Sequence, residues 1–106
     1  MFSAKDNELV NRLLATAREG GGEWLPTALD NVFTSSVSGK YSFQIRRSSI
    51  SDPPFRLEIR DEAGNVIHRL DFTDYPELAE LHELARRQAL KIDSTIDDIL
   101  TELDKK

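Results

Sequence analysis

Residues 54–72, Pro-Phe-Arg-Leu-Glu-Ile-Arg-Asp-Glu-Ala-Gly-Asn-Val-Ile-His-Arg-Leu-Asp-Phe, constrain the fold more than any other stretch of the chain. Phe55, Leu57 and Ile59 alternate with Arg56, Glu58 and Arg60, the period of a strand with one buried face. Asp61 to Asn65 supplies turn chemistry, with Gly64 free to adopt the positive φ of a short loop. Alternation resumes through Val66, Leu70 and Phe72, so the segment predicts a hairpin. From Pro76 onward the apolar period lengthens to that of a helix.

The hairpin carries a choice of register. Setting Leu57 opposite Leu70 needs a loop with an even number of residues, or a bulge. A three-residue loop at 62–64 sets Arg69 opposite Leu57 instead. The expected register follows Leu70 and Phe72. It places Val66 and His68 on the inner face and Ile67, Arg69 and Asp71 on the outer one.

Upstream, Ser3 is placed to cap a first helix, with Asp6 three residues on. Its apolar stripe is Leu9, Val10, Leu13, Leu14 and Ala17. Gly20, Gly21 and Gly22 stop that helix and read as a hinge, and Trp24 beside Leu25 reads as an anchor folding the joint back on the core. Residues 31–37 predict a strand ending in a Ser38-Gly39 turn, and Tyr41, Phe43 and Ile45 alternate along a second strand. The serine-rich loop 48–54 ends in a double proline that cannot continue a ladder.

Asp74 or Tyr75 caps the next predicted helix, with Pro76 near its first position. Leu78, Leu81, Leu84, Ala85 and Ile92 form its stripe, and Glu83 pairs with Arg87 across one turn. Asp93 and Ser94 cap a last helix with Ile96, Ile99, Leu100 and Leu103 on one face. The expectation is a single α+β domain over 1–106: helix 1–19, Gly-rich joint 20–30, four-stranded antiparallel meander 31–72 and helical pair 75–104. Both C-terminal helices are expected to pack on one face of the sheet. The expected inner set is Leu9, Leu13, Tyr41, Phe43, Ile45, Phe55, Leu57, Ile59, Leu70, Phe72, Leu81, Leu84, Ile96, Ile99 and Leu100.

The net charge of −5 is unevenly placed: residues 73–106 carry nine acidic and five basic side chains. That balance opposes general attraction to nucleic acid or anionic lipid. The absence of cysteine removes disulfides, Cys-zinc sites and thiol nucleophiles, and with no signal peptide visible it suits a reducing cytoplasm. No apolar run reaches transmembrane length, so no membrane partner is expected.

Little in the chain points to chemistry. The predicted outer face carries Gln44, Arg46, Arg56, Arg60 and Arg69 beside Glu58 and Asp71, a local excess of positive charge. Arginine forks there suit a phosphate, a nucleic acid or an acidic partner, or simply cross-strand ion pairs. No aromatic side chain shares the face to stack a base, which weighs against nucleic acid. His68 and His82 lack metal-ligand spacing, and Asp93, Asp97 and Asp98 lack the pattern of a calcium loop. Acids at a helix start are explained by its dipole. The serines at 35, 36, 38, 48, 49 and 51 sit in turn-like segments outside any nucleophile motif, and the triple glycine lacks the Gly-Lys-Ser/Thr of a phosphate loop.

The order of a leucine-rich helix, a Gly-then-Trp joint, a meander and an Arg-Arg-Gln helix resembles that of many small bacterial proteins; it identifies no family. The functional expectation is a non-catalytic protein-interaction module: an accessory, inhibitor-like or regulatory subunit working through a protein partner or a homodimer. No cofactor or metal is expected. The acidic balance suits a basic partner, such as a nuclease. The alternatives are phosphate or nucleic-acid binding on the Arg face and a small enzyme without a recognisable motif.

Overall fold

The computed structural model describes residues 3–50 and 54–105. The remainder of the predicted serine-proline loop, residues 51–53, lies outside the described residues, as do Met1, Phe2 and Lys106. The chain is an α+β domain: α1 (Ala4–Arg18), β1 (Leu25–Pro26), β2 (Val32–Val37), β3 (Tyr41–Arg47), β4 (Phe55–Arg60), β5 (Val66–Asp71), α2 (Leu78–Ala89) and α3 (Ile92–Asp104). The sheet is an antiparallel meander in the order β1-β2-β3-β4-β5. It has one strand more than the periodicity predicts. β1 is only two residues long, too short to show a period. Its Pro26 is tolerated because β1 is an edge.

Local chemistry sets the ends of α1 as its sequence implies. Ser3 Oγ accepts the Asp6 N–H at 3.4 Å. At the far end Gly20 takes φ +85°, the Gly20 N–H bonds the Ala17 carbonyl at 3.1 Å, and the Gly21 N–H bonds that of Thr16 at 2.9 Å. These paired bonds satisfy carbonyls that the helix end leaves open.

Leu57 pairs with Leu70, as the apolar pattern demands, and a bulge makes this possible. Ile59 faces His68 and Arg60 faces Val66, so Ile67 is the extra residue on β5. Val66 therefore sits across from Arg60 on the outer row, not on the inner face as strict alternation predicts. The loop is closed by Asp61, whose Oδ1 accepts the N–H groups of Ala63 and Asn65, both at 3.0 Å.

α1 and α2 lie on the inner face of the sheet. Ile45, Leu57, Leu78, Leu81 and Val10 are the largest fully buried side chains, and Phe33, Phe43, Leu70, Trp24 and Tyr75 join them. A two-bond fork from Arg18 to Glu80, at 2.6 and 2.7 Å, ties the end of α1 to α2. α2 begins at Leu78, later than expected, because Asp71 to Pro76 first form turns: Tyr75 N–H bonds the Asp71 carbonyl and Leu78 N–H that of Tyr75, both at 3.0 Å.

α3 departs most from expectation. It does not pack on the sheet, and none of its residues is buried. Ile96, Ile99, Leu100 and Leu103, three of them in the expected inner set, are between 42% and 56% exposed. Tyr41 is also half exposed, near the β2–β3 hairpin tip. Two features explain where α3 goes. The inner face is already covered by α1 and α2, and Lys91 takes a left-handed conformation (φ 54°) that breaks the helical path after Leu90. Ile92 consequently opens α3 and does not extend the α2 stripe. Asp93 lies in the first turn of α3, bonded to Arg87, while Glu83 pairs with Arg86. The molecule measures 55 × 29 × 25 Å, with a radius of gyration of 15.3 Å. A compact chain of this length would have about 13 Å.

Leu57→Ala should cost on the order of 2–5 kcal/mol, because it opens a cavity under α2. Ile99→Ala should stay within about 0.5 kcal/mol of wild type, because it opens none. Urea unfolding of the two variants checks the contrast, and equal losses would contradict an unburied α3.

Candidate functional site

The outer sheet face is set by register. Across β2 to β5, one row runs Thr34, Gln44, Glu58 and Arg69, and a second runs Val32, Arg46, Arg56 and Asp71. Arg60 lies one row further, between Ser42 and Val66. Period-2 alternation thus brings all five predicted outer-face residues together. At the centre is the Glu58 carboxylate, with only 5% of its side chain exposed. It accepts from Arg60 Nη2 at 2.8 Å and Arg69 Nε at 3.3 Å, with Arg46 Nη2 at 3.7 Å. Arg46 also leans on Gln44 Oε1 at 3.4 Å, and Arg56 Nε donates to Asp71 at 3.0 Å.

Every arginine of the set therefore faces a carboxylate of the same sheet. Burial pushes the Glu58 carboxyl up, but the Arg60 hydrogen bond, the charges of Arg46 and Arg60 and the Arg69 bond outweigh it. The net shift is downward.

The Gly joint is held at several points. Gln88, from α2, accepts the Trp24 N–H at 2.7 Å and donates to the Gly21 carbonyl at 2.9 Å. Ser35 Oγ donates to the Gly22 carbonyl. Gly22 takes φ +94°, and a Cβ on Gly21 would meet Thr16 Cγ2 at 2.9 Å. Trp24 is buried against the core. Beside this joint is a cavity of about 570 Å³ between α1 and the end of β2, lined among others by Leu9, Leu13, Trp24, Val37 and Phe43.

His68 stays on the inner row expected of it, opposite Ile59, and the histidine that the sequence reading does not place inside is His82. His68 is exposed at the sheet margin, where Nε2 lies 3.1 Å from both Asp6 oxygens and ties β5 to α1. His82 is the buried one, packed between the rings of Phe33 and Phe55. Its Nε2 lies 3.0 Å from the Asn31 carbonyl, so this nitrogen is the donor. Burial holds its pKa below the ordinary histidine range, although the Asn31 bond opposes the shift. His82 falls four residues after Leu78 and three before Ala85, and that spacing on the buried stripe is the signal that marks it as interior. Among the described residues, no group of three or more His, Cys, Asp or Glu is placed to hold a metal ion. No described helix is long and apolar enough to cross a membrane.

That leaves α3 as the feature without an internal explanation. Ile92, Ile96, Ile99 and Leu103 are spaced four, three and four residues apart, the interval of a coiled-coil seam. Leu100 widens this seam to the stripe of an ordinary core helix, so nothing in the sequence of α3 sets it apart from one that packs on its own sheet. Comparison with known proteins returns no match: no family model fits the chain, and no curated protein or solved structure is significantly similar to it.

Stability should fall on acidification in two windows. His82 has a lowered folded pKa, so its contribution is complete above the unfolded value of about 6.5 and is lost as pH falls below it. Glu58 is likewise lowered, so its contribution is complete above about 4.3 and is lost as pH falls through the folded value. Urea midpoints at pH 7, 5.5, 4 and 3 should show His82→Gln flattening the first decline and Glu58→Gln the second. Unchanged slopes would contradict these assignments.

Proposed function

We propose that this chain is a non-catalytic protein-interaction module, an accessory, inhibitor-like or regulatory subunit acting in the cytoplasm through a basic protein partner. One observation carries the reading: α3 presents an apolar stripe that its own domain leaves uncovered. A folded domain gains nothing from an exposed seam of Ile and Leu, whereas an amphipathic helix laid into a groove is a common mode of protein recognition. The nine acidic residues of the C-terminal third support a partner of opposite charge.

Phosphate or nucleic-acid binding on the outer face has less support. The arginines there are engaged by Glu58 and Asp71, and no aromatic side chain stands in their rows to stack a base. The reading as an enzyme has no site to name.

The test compares affinity capture from the native host by wild type and by Ile99→Glu/Leu103→Glu. Both side chains are exposed, so the variant should keep the wild-type melting temperature within a few degrees. Proteins retained by wild type should be lost from the variant. Identical capture by both would remove α3 from the function.

A further inference from the structure

We infer that α3 docks into an apolar groove with a basic rim on a different protein, and that its acidic flanks exclude a second copy of this chain; the inference rests on the interaction-module reading above. At about 100° per residue, the seam of Ile92, Ile96, Ile99 and Leu103 is widened on one side by Leu100. Asp97 and Asp104 border that side and Glu102 borders the other, while Asp98, about 100° from Ile99, lies on the opposite face. The stripe is therefore edged by carboxylates along both margins.

Helix stability does not account for these acids. Asp93, in the first turn, suits the dipole and also bonds Arg87. Glu102 and Asp104 lie at the opposite end, where negative charge opposes the dipole, and the last turn holds no basic residue. Lys105, just beyond it, reaches Glu102 at 3.3 Å. The positions of Asp97, Glu102 and Asp104 are explained by what the stripe must meet.

A second copy meets it poorly. Parallel or antiparallel pairing of two α3 helices sets acid margin against acid margin, a repulsion that grows as water leaves the contact. The area is also small: one stripe offers on the order of 400 Å² of apolar surface. Two copies joined by α3 alone would bury about 800 Å², below the roughly 1,200 Å² at which stable interfaces begin. A groove takes more of the helix, because its walls reach the margins as well as the stripe. Lys and Arg on those walls would pair with Asp97, Glu102 and Asp104. The same acids disfavour an anionic membrane surface.

Two synthetic helical-hairpin peptides, each with Leu lining the groove between its two helices, serve as probes; one carries Lys and the other Glu along the groove rims. Calorimetric titration into the full chain should show the Lys peptide binding about tenfold tighter, the sum of several modest charge pairs. The preference should shrink at 1 M NaCl, where the Debye length is about 3 Å. It should also shrink in Asp97→Asn/Glu102→Gln/Asp104→Asn, with Lys-peptide binding lost in Ile99→Glu. Circular dichroism of the variants checks that each remains folded.

Equal affinity for the two peptides overturns the basic groove, as does a failure of the Lys peptide to bind. A wild-type dimer at micromolar concentration that Ile99→Glu dissociates overturns the exclusion of a second copy. Each of these leaves the interaction-module reading standing, since that reading fails separately, when capture is insensitive to α3.

Discussion

One row of side chains across the sheet organises the domain: Phe33, Ile45, Leu57 and Leu70, paired strand to strand from β2 to β5 and all buried. Leu78 and Leu81 of α2 and Val10 of α1 belong to the core built on that row. The neighbouring outer row holds Thr34, Gln44, Glu58 and Arg69. A slip of one residue in β4 would carry Glu58 under the helices and Leu57 out among the arginines. Burying an unpaired carboxylate there would be far more costly than losing a ladder bond. The register of the core is therefore also the register of the Arg–Glu58 cluster, and the Ile67 bulge allows one odd-length loop to satisfy both.

The legible parts of this fold were those where one periodicity ran long enough to have a single solution. β3 and β4 alternate over six or seven residues, and the α1 stripe repeats over four turns with its cap and glycine stop in place. β1 was invisible because two residues carry no period, and Pro26 argued against a strand at all. Val66 sits on the outer row against the alternation because a bulge changes parity without leaving a mark in composition. His82 is hard to assign from sequence because a histidine is polar by type, and only its place between two phenylalanine rings makes it interior. Most consequential was α3: amphipathicity shows that a helix has an apolar face, but whose core that face completes depends on whether the sheet has room. Here α1 and α2 had filled it.

The outer face shows the same limit for chemistry. Sequence alternation correctly groups Gln44, Arg46, Arg56, Arg60 and Arg69, but grouping says nothing of whether the charges remain available. Glu58, nearly inaccessible between them, draws three guanidinium groups toward one carboxylate. Arg56 turns to Asp71. The cluster acts chiefly as a clasp over β3, β4 and β5, on the side of the sheet that no helix covers.

α3 is the element of this domain whose apolar face has no partner within the fold. Isolated helices of about a dozen residues are marginal in water, and most helical stability in proteins comes from packing an apolar face. α3 lacks that packing. It is held at its start by the Arg87–Asp93 pair and the Thr95 hydroxyl on the Lys91 carbonyl, and at its end it carries acids that oppose its dipole. Its helical state is thus the least secured in the domain, and a partner covering the Ile and Leu seam would supply the missing burial. Binding and helix order would then be linked: part of the contact energy would go into fixing α3, lowering affinity for a given area while keeping the interaction reversible. On the proposed function, a tightly locked sheet and one loosely secured, charged, apolar helix would separate scaffold from binding element. The Leu57 row keeps the scaffold unchanged whatever α3 is doing.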